Sequence, residues 1–410
     1  MSTFAGLWAE LEPIGRDSNT GGYRRYAFND AELQCREWFT STAEARGLDV
    51  ELDRNTNLWA WWIPPGADPN AKALVIGSHL DSVPDGGAFD GPLGVVSAFA
   101  AFDQIVASNV QPDRPIAIVA FADEEGARFG IACAGSRLLT GALDADKARG
   151  LVGRDGPTMA EVMRDNGFNP MTLGIDCERI ARIGQFVELH VEQGKGLVEL
   201  AEPVGVAESI WPHGRYRFTF SGAADHAGTT RMQDRKDPMI AYAHTALQAY
   251  EAALNVSQRA TFGRLEVEPN GTNAVPSTVR AWLDARASDE PALNDLVGQI
   301  SAAAREAAVA NGTSVEITPE SVTGILEFDQ SLRANVAASI ATTLGLDQVP
   351  VLPTAAGHDA GILASAGVPT AMIFVRNPTG ISHSPHEHAD EADCEVGVRA
   401  LAAAVSGLLS

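Results

Sequence analysis

Several short segments of this chain combine amino acids that could bind a metal ion. His79 and Asp81 form an H-x-D pair in the segment GSHLD, directly after an apolar run, and Asp90 follows in the glycine-flanked turn FDG. Imidazole and carboxylate groups together suit Zn²⁺, Mn²⁺, Co²⁺ or Ni²⁺. The surrounding sequence is needed to distinguish a plain glycine-rich loop from a loop that carries metal ligands.

A second cluster of acids follows the next apolar run, where Asp123, Glu124 and Glu125 lie in the segment ADEEG. Adjacent carboxylates at a strand end repel one another, and one of them takes up a proton unless a cation neutralises them. Taken alone, such a segment is typical of a solvated acidic turn. A carboxylate shared between two metal ions would make a two-metal hydrolytic centre possible.

Histidine is rare in this chain, with nine residues, and most of them lie beside acids and glycines. His190 lies in ELHVEQG, where it alternates with Glu188 and Glu192 and could also be an ordinary edge residue of a strand. Three more histidines crowd into the segment ISHSPHEHADE: His383, His386 and His388. Each segment alone could be incidental, but their common position near predicted strand ends favours a metal site.

The elements that would position these residues follow from the apolar pattern. Continuous apolar runs are typical of strands that are buried on both faces. Strands are predicted at 57–63, 73–78 and 116–122, and helices at 30–46 and 91–108. The same alternation of helices and strands is predicted near the C-terminus, with helices at 329–344, 358–366 and 391–409 and strands at 349–353 and 370–375. Because ligands of parallel sheets collect at the carboxyl ends of the strands, GSHLD and ADEEG are placed where a site is expected.

The pattern changes after about residue 208. The predicted order is a strand at 216–222, a helix at 238–254, strands at 261–268 and 278–287, a helix at 291–311 and a strand at 313–320. This order is that of a ferredoxin-like sandwich. We therefore predict an inserted α+β domain over residues 209–325. Residues 1–208 and 326–410 are predicted to form a discontinuous α/β domain, with helices on both faces of a mainly parallel sheet.

Composition restricts the class of protein. A net charge of −23 argues against binding to nucleic acid or to an anionic membrane, since both require clustered Lys and Arg. The four cysteines are widely spaced, which is typical of reduced thiols in the cytoplasm. No signal peptide is recognisable at the start, and no apolar run reaches the roughly 18 residues that a membrane span needs.

The segments quoted above resemble those of the M20-type metal-dependent amidohydrolases. The resemblance is closest to the branch that contains N-carbamoyl-L-amino-acid hydrolases, β-ureidopropionases and allantoate amidohydrolases, and it covers nearly the whole chain. It is carried, in this order, by GSHLDSVPDGGAFDGPLGV, ADEEGARFG, ELHVEQG, DHAGTTRMQDRKD, TNAVPSTVRAWLDAR, AGHDA and ISHSPHEHAD. The histidine of ELHVEQG favours the ureido-hydrolase branch, because the peptidase relatives usually have an acid there.

The resemblance implies two divalent metal ions in each subunit, Zn²⁺ or one of Mn²⁺, Co²⁺ and Ni²⁺. It implies the following metal ligands: His79, Asp90, Glu125, His190 and His383. Asp90 would bridge both ions, with His79 and His190 completing the first site. Glu125 and His383 would complete the second. His386 and His388 match no ligand position of the family.

The resemblance also assigns catalytic roles. Glu124 would be the general base, which takes a proton from water and passes it to the leaving nitrogen. Asp81 would orient His79, as imidazoles bound to metal usually require. In an extended segment the side chains of Glu124 and Glu125 would point in opposite directions, so a turn is needed, and Gly126 could permit one.

Substrate contacts are implied mainly within the inserted domain. His226 and Asn273 would stabilise an oxyanion, which makes His226 catalytic as well, and Arg286 would pair with a substrate carboxylate. Without the resemblance, Arg286 could be a surface residue and His226 a capping residue. Further substrate contacts are implied for Gln193, Arg215 and Gly357. The family places His226, Asn273 and Arg286 on a lid domain that also forms a homodimer, and these groups often come from the partner subunit.

One position departs from the family. Arg231 stands where the family commonly has proline, and the extra cation would either favour a more anionic substrate or face water. The leading hypothesis for function is hydrolysis of a linear ureido C–N bond in an N-carbamoyl-L-amino acid or an allantoate-like acid, with release of ammonia. An aminopeptidase or N-acyl amino-acid deacylase is the alternative. A binding protein on a hydrolase scaffold is a third hypothesis, which the intact Glu124 disfavours.

Overall fold

A computed structural model describes residues 3–108 and 110–409 of the chain. The strands are β1 (Asp49–Leu52), β2 (Leu58–Trp62), β3 (Ala73–His79), β4 (Ile116–Phe121), β5 (Ile183–Val191), β6 (Val204–Ile210), β7 (His213–Ser221), β8 (Asp225–His226), β9 (Arg259–Glu268), β10 (Ala274–Val275), β11 (Thr278–Arg286), β12 (Ser314–Thr323), β13 (Leu326–Glu327), β14 (Val351–Thr354) and β15 (Thr370–Val375). The helices are α1 (Phe4–Leu11), α2 (Asp30–Glu44), α3 (Pro92–Ala107), α4 (Ala134–Thr140), α5 (Ala145–Arg149), α6 (Met159–Asp165), α7 (Cys177–Arg182), α8 (Gly196–Leu200), α9 (Pro238–Asn255), α10 (Glu290–Ala310), α11 (Gln330–Leu344), α12 (Asp359–Ser365) and α13 (Glu391–Leu408).

The chain divides into two compact units, of which the second consists of Ser209–Leu326. The sequence places the inserted domain at 209–325. The first unit contains a sheet with the strand order β1-β2-β4-β3-β5-β15-β6-β13, and β14 pairs with β6 beside this path. The four central strands β4, β3, β5 and β15 are parallel, whereas β1, β2 and β6 pair antiparallel with their neighbours. The predicted α/β fold with a mainly parallel sheet at its centre is confirmed.

Helices cover both faces of this sheet, as β5 illustrates. Val187, Leu189 and Val191 point to one face and belong to the main hydrophobic core, which also contains the buried side chains of α3 and α13. On the opposite face, the carboxylate of Glu188 accepts a hydrogen bond from the main-chain amide of Ala360 in α12. The alternation of side chains along the strand therefore separates a packing face from a polar face.

Helix α3 lies very close to the sheet, and this contact fixes the segment that precedes it. A Cβ atom on Gly94 would lie 2.2 Å from the carbonyl oxygen of Leu189, so any side chain at this position would push the helix outward. Asp90 lies two residues before α3 begins at Pro92. The absence of a side chain at Gly94 therefore determines the distance between Asp90 and the end of β5.

The second unit has the order β7-α9-β9-β11-α10-β12, and its antiparallel sheet has the strand order β12-β7-β11-β9. The predicted ferredoxin-like arrangement is confirmed. Phe218, Phe220 and Leu283 pack with the inner side chains of α9 and α10 to form the core of this unit. A short antiparallel pair, β8 with β10, lies outside this sheet. In the part of the chain that the structure describes, no helix has the length and apolar character to cross a membrane.

Candidate metal centre

Two histidines and one aspartate meet at the carboxyl ends of the central strands. His79 is the last residue of β3 and His190 lies near the end of the neighbouring strand β5. Oδ1 of Asp90 lies 3.5 Å from Nε2 of His79 and 3.1 Å from Nε2 of His190. We call His79, Asp90 and His190 the inner group. Both imidazoles are buried, and their ligand atoms and that of Asp90 lie within 4.8 Å of one another.

The hydrogen bonds of these imidazoles fit a metal ion. Nδ1 of His190 lies 2.9 Å from the carbonyl oxygen of Val191, and Nδ1 of His79 lies 3.3 Å from that of Asp81. Because a carbonyl can only accept, these contacts place the proton of each neutral ring on Nδ1 and leave the lone pair on Nε2. Neither Nε2 atom has a hydrogen-bond partner among the described residues. In the neutral rings, two buried lone pairs beside a carboxylate would form the donor set that a divalent cation needs.

A second cluster, the outer group, consists of Asp90, Glu125 and His383. Nε2 of His383 lies 3.5 Å from Oδ2 of Asp90 and 3.5 Å from Oε2 of Glu125. The ligand atoms of this group also lie within 4.8 Å of one another. The two oxygens of Asp90 therefore face different groups. The side chain of His383 is 51% exposed, whereas that of His79 is 1% exposed, so the outer group is far more open to solvent.

Glu124 and Glu125 resist ionisation when no cation is present. Burial raises the pKa of Glu124 to about 7, with Asp81 and Asp90 adding to the effect and His79 opposing it. Burial and the charge of Asp90 also raise the pKa of Glu125 well above its usual range. A divalent cation would remove this cost, since it favours the charged form of each carboxylate. The electrostatics of the cluster therefore agree with its geometry.

Asp81 connects the two loops that carry the acids. Its Oδ1 accepts a hydrogen bond from the amide of Glu124 at 3.1 Å, and its Oδ2 accepts one from the amide of Glu125 at 3.0 Å. Oδ1 also lies 3.4 Å from Nδ1 of His79. The turn that the sequence requires is present, and it begins earlier than Gly126. Asp123 has a φ of 53° and Gly126 a φ of 60°, so left-handed residues lie on both sides of the glutamates.

Gly91 is required by the ring of His79. A Cβ atom at position 91 would lie 2.3 Å from Cε1 of His79, and the residue has a φ of 78°. A larger residue would be strained in the backbone and would collide with the imidazole. The glycine that follows Asp90 therefore leaves the space in which the imidazole of His79 lies.

Two contacts to Asp90 were not foreseen in the sequence. Oε1 of Glu387 accepts hydrogen bonds from the amides of Phe89 and Asp90, each at 2.9 Å. Nε2 of Gln193, which the sequence analysis assigned to substrate, donates to Oδ2 of Asp90 at 2.8 Å. Glu387 lies between His386 and His388, so the crowded segment ISHSPHEHADE contained its signal. His386 and His388 are exposed and belong to neither group.

A polar layer lies under the inner group, and it too was missed. Glu188 accepts a hydrogen bond from the hydroxyl of Ser78 at 2.6 Å. The rings of His358 and His190 are 4.5 Å apart in an edge-to-face arrangement, and burial lowers the pKa of His358 well below its usual range. Gly357 directly precedes His358 at the start of α12. The alternation of Glu188 with His190 along β5 was the available signal for this layer.

In the second unit, the structure brings His226 and Asn273 together. They lie on the paired segments around β8 and β10, where the amide of Ala227 donates to the carbonyl of Asn273 at 3.0 Å. Nδ1 of His226 accepts hydrogen bonds from the amides of Gly228 and Thr229, at 3.0 and 3.2 Å. These contacts place the proton of the neutral ring on Nε2, which makes His226 a hydrogen-bond donor at its exposed edge.

Arg215 and Arg286 also lie close together, because both contact Asp284. Arg286 pairs with both oxygens of Asp284, at 2.7 and 3.2 Å, and Nε of Arg215 lies 3.5 Å from Oδ2. Two guanidinium groups beside one carboxylate leave a net positive charge. Arg231, the departure noted in the sequence, forms an exposed ion pair with Asp234 at 2.6 Å. This contact agrees with the second interpretation, in which Arg231 faces water.

Comparison with known proteins places the chain among characterised enzymes. Residues 75–407 match the model of peptidase family M20/M25/M40. The chain belongs to this family. It is 35% identical to the N-carbamoyl-L-amino acid amidohydrolase of Geobacillus stearothermophilus, over 96% of each chain. It is 31% identical to the allantoate amidohydrolase of Escherichia coli, over 96% of this chain and 94% of that one.

A solved structure of a hydantoinase/carbamoylase family amidase from Burkholderia vietnamiensis has the same fold. It aligns with a TM-score of 0.85 at 27% identity and covers 99% of this chain and 98% of its own. The M20 membership predicted from the sequence is confirmed. This M20 chain is a metal-dependent amidohydrolase, a hydrolase of C–N bonds, and it contains candidate ligand groups for the metal.

Proposed function

We propose that this chain hydrolyses the linear ureido C–N bond of an N-carbamoyl-L-amino acid or an allantoate-like ureido acid at a centre of two divalent ions. An N-carbamoyl amino acid and one water would give the amino acid, ammonia and CO₂, and one ureido group of an allantoate-like acid would likewise give ammonia, CO₂ and the corresponding amine. The observation that carries the proposal is the position of Asp90, whose oxygens face the inner and outer groups separately. Both curated relatives described above act on ureido substrates by name.

The residues of the proposed centre form two sets of metal ligands. His79, His190 and Oδ1 of Asp90 would hold one ion; Glu125, His383 and Oδ2 of Asp90 would hold the other, with Zn²⁺, Mn²⁺, Co²⁺ or Ni²⁺ fitting this donor set. When bound, such ions polarise a carbonyl and lower the pKa of water.

Glu124 is the general base of the proposal. Its Oε2 lies 3.7 Å from Nε2 of His79, on the side of the inner group. In the proposed reaction this carboxylate takes a proton from water and donates it to the leaving nitrogen. Asp81 holds Glu124 in place by accepting a hydrogen bond from the main-chain amide of Glu124.

The second unit would supply the remaining contacts. The Nε2 proton of His226 and the side-chain amide of Asn273 are suited to stabilise the oxyanion of the tetrahedral intermediate. Arg286, with Arg215 beside it, would bind the substrate carboxylate. Gln193 and Gly357 would also contact the substrate.

The distance between these two sets supports a homodimer. Arg286 pairs with His213 at one end of the sheet, whereas Thr278 pairs with Ser221 at the other end, next to the segments that carry His226 and Asn273. Eight residues of strand separate the two ends, which is about 26 Å at the usual rise. In an N-carbamoyl α-amino acid, only the α-carbon and one nitrogen separate the carboxylate from the carbamoyl carbon. One copy of the unit therefore cannot present both sets to one substrate, and we infer that two copies share each site.

The surface of the second unit is compatible with such a dimer. Ile240, Leu247, Tyr250 and Leu254 form an exposed apolar stripe along α9. The adjacent strand β9 is the last strand in the sheet order, so its outer edge can pair with a second copy of itself. We also propose that the protein functions in the cytoplasm, where its four free cysteines would stay reduced.

Mixed dimers test the shared site. His226→Ala and Arg286→Ala should each abolish most turnover alone. When the two variants are unfolded together and refolded, roughly a quarter of wild-type turnover should return, because half of the random dimers are mixed and each has one intact site. If both sets came from the same copy, mixing would restore nothing.

The substrate class is tested by release of ammonia from the metal-loaded protein. The panel contains N-carbamoyl-L-amino acids, 3-ureidopropionate, allantoate and N-acetyl amino acids. Ammonia from a ureido acid that depends on metal and is abolished by Glu124→Gln supports the proposal. Release of acetate without ammonia would instead establish the deacylase activity.

A further inference from the structure

A cysteine thiol contacts the carboxylate of Glu124. Sγ of Cys133 donates a hydrogen bond to Oε1 of Glu124 at 3.2 Å, and both side chains are buried. The amide of Cys133 also donates to the main-chain carbonyl of Glu124 at 2.5 Å. Cys133 lies directly before α4, in the segment that returns the chain from the acidic turn. The same residue therefore holds Glu124 through both its backbone and its side chain.

The contact distinguishes the two oxygens of Glu124. Oε1 is the acceptor of the thiol, whereas Oε2 lies 3.7 Å from Nε2 of His79, on the side of the inner group. If the carboxylate rotated, Oε1 would lose its only donor from a side chain among the described residues. The thiol therefore keeps one oxygen occupied and aims the other at the inner group.

The backbone conformation of Cys133 does not itself favour a cysteine at this position. Its φ of 56° lies in the left-handed region, where glycine is the least strained residue. The side chain does not cap α4, although the residue stands at the position where capping side chains occur. Neither helix capping nor backbone conformation accounts for a thiol at this position, whereas the hydrogen bond to Glu124 does.

We propose that Cys133 is a positioning residue that orients the carboxylate of Glu124 toward the reacting water and the leaving nitrogen. The inference rests on the proposed role of Glu124 as general base. A thiol is a weak donor, so it restrains the carboxylate without competing strongly for the proton that Glu124 must accept and release. The residue would affect the rate of turnover and leave the binding of substrate and metal unchanged.

Two substitutions separate orientation from packing. Cys133→Ser keeps a hydrogen-bond donor at the γ position of the side chain, whereas Cys133→Ala removes this donor. For the alanine variant we expect kcat to fall about 10-fold, because a misaligned base loses part of its contribution. KM and the number of bound metal ions should stay within about 2-fold of wild type, and the serine variant should recover most of kcat. Cys394→Ala, which removes the same atom from a buried position in α13, is the matched control.

The outcomes are distinguishable from a failure of the proposed function. If Glu124→Gln retains substantial turnover, the general-base role is wrong. If Glu124→Gln is inactive but Cys133→Ala keeps wild-type kcat, the inference about Cys133 is overturned. It is also overturned if the serine and alanine variants lose kcat equally. Should Cys133→Ala fold poorly, Cys133→Gly removes the same donor at a backbone conformation that glycine adopts without strain, and a wild-type kcat in that variant would equally overturn the inference.

Discussion

The side-chain amide of Gln193 donates a hydrogen bond to Oδ2 of Asp90 at 2.8 Å. Oδ2 is the oxygen that faces His383 and the outer group. Gln193 therefore holds the shared carboxylate in the orientation that lets it serve both groups. This contact predicts a second role for Gln193, which was expected to contact substrate, in the candidate metal centre.

Replacement of Gln193 by leucine should weaken metal binding at the outer group. Loss of a hydrogen bond that orients a ligand typically lowers metal affinity about 10-fold or more. Titration of the metal-free protein by calorimetry measures the effect, and Gln104→Leu, at an exposed position of α3, is the control. A higher KM with unchanged metal affinity would show that Gln193 acts on substrate alone.

Replacement of Asp81 by asparagine should impair both stability and turnover. The amides of Glu124 and Glu125 each donate to a different oxygen of Asp81, and asparagine offers only one oxygen. One buried amide then faces a second donor, which costs about 1–3 kcal/mol of the free energy of unfolding. Denaturant unfolding of the metal-free protein measures this change, and kcat should fall about 100-fold because Glu124 moves. Stability equal to that of an exposed control, Asp113→Asn, would contradict the prediction.

Chelation should remove metal from this centre in two steps. The histidines of the inner group are buried, whereas the side chain of His383 is 51% exposed. An ion at the outer group is therefore more accessible to a chelator and to solvent. Metal counting during dialysis against increasing chelator should show one ion lost before the other, and His383→Ala should purify with one ion. The exposed His244 gives the control, His244→Ala. Loss of both ions in a single step would argue against two distinct sites.

Thiol labelling should distinguish one cysteine from the others. Cys177 is exposed, while Cys35, Cys133 and Cys394 are buried. Burial raises the pKa of Cys35 to about 11 and that of Cys394 to about 12, so at pH 8 these thiols stay protonated and react slowly. Mass spectrometry after alkylation of the native protein should find the label on Cys177, and Cys177→Ser should remove it. Rapid labelling of Cys394 without denaturant would contradict the burial on which this prediction rests.

The apolar pattern was sufficient to place two of the strands that end at the candidate metal centre, but it gave no bounds for β5, which carries His190. The runs at 73–78 and 116–122 became β3 and β4, and both acid-bearing segments follow these strands directly. A strand buried on both faces has a continuous apolar sequence, so its end is visible where polar residues begin. The ferredoxin-like order was also readable, because each strand and helix in that unit has its own periodicity.

The contacts between distant segments could not be read in the same way. Glu387 binds the amide of Asp90, 297 residues earlier in the chain, and the thiol of Cys133 reaches Glu124 only because Asp123 turns the backbone. Such hydrogen bonds depend on where the sheet and its loops lie in three dimensions, and periodicity contains no information about that. Asp123 in a left-handed conformation was equally hidden, since this conformation is uncommon outside glycine.

The close approach of Gly91 to the ring of His79 limits how this centre can be altered. Because a Cβ atom at position 91 would lie 2.3 Å from the imidazole, the loop and the ring occupy one shared volume. A designer who transfers the loop 77–94 to another scaffold would have to transfer the position of β3 with it. The two segments form a single transferable part, and changing the length or residue type of either one alone would displace Asp90.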